Sequence, residues 1–219
     1  MMHRAVLIAV AVWWVGCGAA AAAGPRRPSP KRAARLTPFE QGVLDEMNRV
    51  RKNPRAYAKV VDGYRKHYRG RLLELPGRVP LATVEGVRAA KDAIRALRRA
   101  RPVPVLRASA GMTAASRAHV ADIGPKGKVS HDGSDGSTAF DRLERFGSWQ
   151  RGAGENIQYG GRTSQEIVVQ LLIDDGVPSR GHRKNILNRA FRVTGVGCGK
   201  HARFGRVCVT TFAEGYTEK

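Results

Sequence analysis

Three short segments of the sequence combine residues that can do chemistry with neighbours that form turns. They are Ser130-His131-Asp132-Gly133-Ser134-Asp135-Gly136, Gly154-Glu155-Asn156, and the stretch from Asp174-Asp175-Gly176 through Arg180-Gly181-His182-Arg183. Each falls at an expected element boundary, where functional groups are commonly displayed. Two neutral imidazoles with one or two carboxylates suit a divalent ion such as zinc, for which His is the commonest ligand. His131 and His182 are far apart in the chain, so no local helix pairs them as an HExxH motif would. Taken singly, each also reads as a hydrogen-bonded structural residue.

The carboxylates divide by position. Asp175 continues the row Val168, Leu171, Leu172 at helical spacing, which turns it inward, and a buried Asp needs donors, a cation or a metal. Asp174 then points outward, although a one-residue change of helix phase exchanges the two. Glu166 stands three residues after Thr163 and reads as a capping residue. His119, on a helical face with Met112 and Ile123, is expected to be structural, and His201, in a hairpin loop, to be solvated. A hydrolase needs a nucleophile, but Ser130 adjoins His131 directly and there is no GxSxG elbow. Metal-activated water with Glu155 as general base is the hydrolytic alternative. The residues favour a binding protein over an enzyme.

The elements that must position these groups follow from capping and periodicity. Thr37-Pro38-Phe39-Glu40 opens a helix continued by Val43, Leu44, Met47 and Val50, and Asn53-Pro54 starts a second through Tyr57, Val61 and Tyr64. After a loop rich in Gly and Pro, a helix is expected from Thr83 to about Ala100. Further helices are predicted over residues 109–123, 140–146 and from Thr163, with a turn of helix at 181–187 and a strand at 155–159. Cys198 and Cys208 flank Lys200-His201-Ala202-Arg203-Phe204-Gly205 between alternating Val residues, a hairpin signal. In an exported protein this predicts a cross-strand disulfide, with two reduced buried thiols as the alternative. Helices early and strands late indicate an α+β class with a small, mostly antiparallel sheet.

The whole chain of 219 residues carries 39 Lys+Arg against 18 Asp+Glu, a net charge of +21. Residues 1–24 read as a secretory signal, with an apolar stretch from Ala5 to Val15 before small residues; an uncleaved anchor and lipid attachment at Cys17 are the alternatives. Residues 25–36 form a basic Pro-rich linker, and residues 37–219 a single domain, expected to be secreted or held at the cell envelope. Residues 65–101 hold a net charge of +8, and Arg88, Lys91, Arg95, Arg98 and Arg99 line one side of the helix expected there. For an exported protein this basicity favours an anionic envelope polymer or membrane surface over specific nucleic acid, with a plain solvated face as the bland reading.

Three ordered stretches resemble the CAP superfamily, also called SCP or PR-1-like, and especially its bacterial secreted members. They are Ser130-His131-Asp132-Gly133-Ser134-Asp135-Gly136-Ser137, Gly154-Glu155-Asn156-Ile157 and Gly181-His182-Arg183-Lys184-Asn185-Ile186-Leu187-Asn188. Lesser matches are the helix from Leu44 to Arg51 and Gly195-Val196-Gly197. The resemblance implies a three-layer α-β-α sandwich with a cleft in which His131, His182, Glu155 and a second acid converge, that acid falling at Asp175. It implies a non-enzymatic binding module holding a divalent metal and a lipid or sterol-like ligand. The chain departs from the family in having Asp where a Glu is usual, in an insertion at 176–180, and in the long stretch from about Tyr64 to Arg101.

Overall fold

The computed structural model describes residues 35–219. The signal, most of the linker and Cys17 lie outside the described residues. Thr37 caps α1 (Pro38–Lys52) in a reciprocal capping box with Glu40. Asn53 ends that helix and its side chain caps α2 (Pro54–Arg65), so two helices meet at a single polar residue.

The loop after α2 contains strands that the sequence did not announce. β1 (Tyr68–Arg69), β2 (Leu72–Leu73) and β3 (Leu81–Ala82) form a small antiparallel sheet in the order β1-β2-β3. The next helix, α3 (Val87–Arg99), starts four residues later than its periodicity predicts. Thr83 bonds to Arg71, and Gly86 turns the chain at φ 62°, a left-handed conformation that Gly adopts without a Cβ penalty.

After β4 (Arg107–Ala108), Ser109 caps α4 (Ala110–Lys126), which extends three residues beyond Ile123, with Pro125 in its last turn. There follow α5 (Ala139–Glu144), β5 (Gly147–Tyr159), α6 (Ser164–Ile173), α7 (Gly181–Leu187), β6 (Val193–His201) and β7 (Gly205–Glu218). β5 begins well before the expected Glu155, because a register shift between Gln150 and Ala153 lets the strand pair with β7 along its length.

The main sheet runs β4-β6-β7-β5, parallel between β4 and β6 and antiparallel elsewhere. Strand alternation divides its side chains between two helical layers. Val196, Cys198, Cys208 and Phe212 join the core made with α1, α2, α3 and α6, while Val120 and Ile123 of α4 pack on Ile157, Tyr159, Val207 and Val209. Met112, Ala115 and Leu143 cover Val193 and Ala213 on that second face. The fold is therefore a three-layer α-β-α sandwich. α4 lies directly on β6: a Cβ at Gly195 would stand 2.1 Å from the Met112 carbonyl carbon.

Cys198 and Cys208 face each other across the β6–β7 hairpin and are joined as a disulfide. His201 is not solvated, contrary to expectation. The hairpin folds back so that its Nε2 meets the Lys128 carbonyl and its Nδ1 accepts from the Arg203 and Phe204 amides. Glu166 also differs from its expected role: Thr163 caps the Glu166 amide, but the Glu166 carboxylate goes to Arg78 and the Arg162 amide.

Candidate functional site

His131 lies in the loop between α4 and α5, which is built by its own polar residues. Asp122 on α4 accepts the Ser134 amide and hydroxyl, Asp135 accepts the Ser137 amide, and Lys128 donates to the Gly133 carbonyl. Held in this way, His131 places Nδ1 2.8 Å from Glu155 Oε1. Arg142 of α5 completes the group. Its Nη2 donates to Glu155 Oε2 at 2.9 Å and to the His131 carbonyl at 2.9 Å, while Nη1 donates to the Ser137 carbonyl.

Glu155 and Arg142 are both buried. Burial works to raise the Glu155 carboxyl, but the His131 hydrogen bond and the Arg142 charge outweigh it and hold the group below its ordinary value. Glu155 is therefore an ionised, ion-paired carboxylate and a weak base. No sequence pattern singles out Arg142, which reads as an ordinary charge on a short helix.

His182 begins α7 on the other side of β5. Asp174, the residue that caps the C-terminus of α6, adopts a left-handed conformation at φ 58°, which turns its carboxylate toward α7. Its Oδ1 lies 2.5 Å from His182 Nδ1, and its Oδ2 accepts the His182 and Arg183 amides. His182 is 1% exposed, and its Nε2 has no hydrogen-bond partner among the described residues. A buried polar atom without a partner calls for a ligand, an ion or a water.

Asp175 goes elsewhere. α6 ends at Ile173, so helical spacing no longer governs the two aspartates, and the expected phase is exchanged. The Asp175 carboxylate accepts the Val84, Glu85 and Gly86 amides at 2.7, 2.8 and 2.8 Å, where it secures the chain entering α3. It does not contact His182.

β5 connects the two imidazoles through adjacent residues. Glu155 points toward α4 and α5, whereas Asn156 points the other way and donates to the His182 carbonyl at 3.1 Å. Asn185, from α7, donates to Asn156 Oδ1 at 2.8 Å, and a Cβ on Gly154 would press against Asn185. β5 is an edge strand of the main sheet, so loop 130–137 and α7 both reach it.

Among the described residues no three His, Cys, Asp or Glu side chains stand together as a metal cluster. The residues therefore do not fit a four-ligand centre of His131, His182, Glu155 and Asp175. His182 does fit a carboxylate-oriented imidazole, in which the acid holds one ring nitrogen and leaves the other for a ligand. The expected basic side chains, Arg88, Lys91, Arg95, Arg98 and Arg99, are all exposed on α3.

The model of the cysteine-rich secretory protein family, CAP, matches residues 91–212, a span that contains both imidazoles and the disulfide. The uncharacterized protein YkwD of Bacillus subtilis is 36% identical over 86 residues, 39% of this chain and 32% of that protein. The chain thus spans about a third of the length of that curated relative. A solved extracellular protein containing an SCP domain, from Bacillus anthracis, is 26% identical with a TM-score of 0.41, over 57% of this chain and 38% of that one. An outer surface protein of Borrelia burgdorferi is 16% identical with a TM-score of 0.44, over 53% of this chain and 80% of that one.

Proposed function

The chain belongs to the cysteine-rich secretory protein, or CAP, family, and from that premise we propose that it is a secreted, non-enzymatic binding module whose ligand-facing group is the His182 imidazole. One observation carries the reading: Nε2 of His182 is buried without a partner while Asp174 holds Nδ1. If Nδ1 carries the proton toward Asp174, Nε2 presents a lone pair, the form a metal ion or a hydrogen-bond donor takes. In this proposal zinc, or another divalent cation, is taken by His182 with His131 as the second imidazole. Asp174 stands behind the His182 ring rather than on the ion.

The disulfide supports export, since such bonds persist in oxidising compartments. The non-enzymatic part of the reading is supported by Glu155, whose ion pair with Arg142 and lowered pKa make it a poor general base. The lipid or sterol-like ligand expected from the resemblance is a proposal of the same kind, tested by mass spectrometry of lipid that co-purifies.

Zinc titration by calorimetry at neutral pH tests the central claim. Binding by the wild type that is lost in His182→Gln and weakened in His131→Ala is the expected result. Equal, negligible binding in all three would remove zinc, and an Nε2 signal in nitrogen NMR insensitive to every probe would remove His182 as the ligand-facing group.

A further inference from the structure

We propose that the outer face of α3, with the apolar tips of the adjoining small sheet, docks this protein on an anionic phospholipid surface. α3 buries Ala89, Ala90, Ala93, Ile94 and Leu97 against the core and turns Arg88, Lys91, Arg95, Arg98 and Arg99 to solvent. At 1.5 Å per residue these five cations form a stripe roughly 17 Å long. Because the apolar side of the helix is already used, the stripe adsorbs to a surface and does not insert into it.

The stripe is short of counter-charge: Asp62 acts on Arg98 and Glu85 on Arg88 at a distance, but the acids nearest the helix are taken chiefly from within. Glu85 receives both Nη atoms of Arg180, at 2.5 and 2.6 Å. Asp92 is held by Arg183 at 3.0 Å and Arg180 at 3.3 Å. These arginines belong to the segment around the start of α7, so both acids are engaged on the side of the fold while the five cations are exposed. Arg95 keeps only a 3.5 Å approach to Asp92 while 60% exposed. Arg88, Lys91, Arg98 and Arg99 make no ion pair among the described residues.

A bilayer rather than a soluble polymer is indicated by what adjoins the stripe. Val84 lies just before α3 and is 47% exposed, Val79, in the loop between β2 and β3, is 88% exposed, and Leu72, on β2, is 43% exposed. The small sheet is stitched to the helix start through Thr83 to Arg71 and Val87 to Gly70. Apolar tips beside a cationic face gain from the boundary between headgroups and acyl chains; a hydrated polyanion offers them nothing.

Sedimentation with vesicles of phosphatidylglycerol and phosphatidylcholine, against pure phosphatidylcholine, tests this over rising salt. Binding should require the anionic lipid and fall as salt shortens the reach of the charges. With each cation contributing near the surface, Arg88→Gln/Arg95→Gln/Arg98→Gln should weaken partitioning by about a hundredfold. Lys52→Gln/Arg107→Gln/Arg189→Gln, which removes the same charge elsewhere, should leave most of it. Val79→Ser/Val84→Ser should reduce vesicle binding by about fivefold. Circular dichroism establishes that each variant is folded. Salt-insensitive binding, or equal loss in the two charge variants, would overturn the proposal. So would wild-type vesicle binding by the Val79→Ser/Val84→Ser variant together with tight binding of soluble dextran sulfate, the signature of a polyanion surface. None of these variants touches His182, so the outcome is independent of the zinc titration.

Discussion

Asp174 Oδ1 stands 2.5 Å from His182 Nδ1, while the neighbouring Asp175 carboxylate accepts three amides at the entry to α3. Two adjacent aspartates thus have unrelated tasks, one holding an imidazole and the other anchoring a helix start. Their variants should separate. Asp174→Asn should change the His182 tautomer, seen in its ring nitrogen shifts, and weaken zinc binding. Asp175→Ala should leave those shifts in place and cost about 1–3 kcal/mol in denaturant unfolding, because three amides, that of Gly86 buried, lose their acceptor.

The buried pair of Glu155 and Arg142 gives a second expectation. Arg142→Met leaves the Glu155 carboxylate buried with only His131 beside it, and should destabilise the protein by about 3–5 kcal/mol. Adding Glu155→Gln should recover part of that loss, since the uncompensated charge is then gone. Chemical denaturation of the two single variants and the double variant measures the coupling.

Acid sensitivity follows from His119. Its side chain is fully buried, with Nε2 on the Ser130 carbonyl, and burial lowers its pKa below the ordinary 6.5. The unfolded chain therefore takes up a proton at a higher pH than the folded one, and stability should fall as pH drops below 6.5 until the folded value is passed. Glu155 adds a further loss below 4.5, where the unfolded carboxyl protonates before the folded one. Melting temperature against pH should lose the upper part of this decline in His119→Gln and keep the lower part.

The Cys198–Cys208 bond closes a loop with a sequence separation of 10. On the chain-entropy model such a loop contributes about 3 kcal/mol. Cys198→Ser/Cys208→Ser should show a loss of that order in unfolding experiments, with the hairpin register retained, because the strands pair on both sides of the bridge.

Arg51 offers a test of how α7 is held. It is completely buried and donates to the carbonyls of Pro104, Ile186, Asn188 and Phe191. Arg51→Met removes every one of these donors and should cost more than 3 kcal/mol, among the large losses that follow breaking a buried network. Hydrogen exchange should quicken first in residues 186–191.

Local signals carried a long way. Thr37, Ser109 and Thr163 each mark a helix start in the sequence and each caps one in the fold, because a cap is a contact between residues three apart. The β6–β7 hairpin and its disulfide were legible for the same reason: two alternating runs around a short Gly loop allow one antiparallel register. The motifs around His131, Glu155 and His182 likewise marked the family before any contact was known.

What local pattern could not decide were the partners across the chain. The sequence names Glu155 but not Arg142, and its helical spacing favours Asp175 over Asp174 although α6 stops at Ile173, before either residue. His201 and Glu166 find Lys128 and Arg78, contacts that no short window contains. The charges on α3 are countable in the sequence, yet only the tertiary structure shows that Arg180 and Arg183 pair with Glu85 and Asp92. Composition and spacing determine which groups a chain possesses; ion pairs and buried hydrogen bonds depend on distance in space, and packing alone sets that.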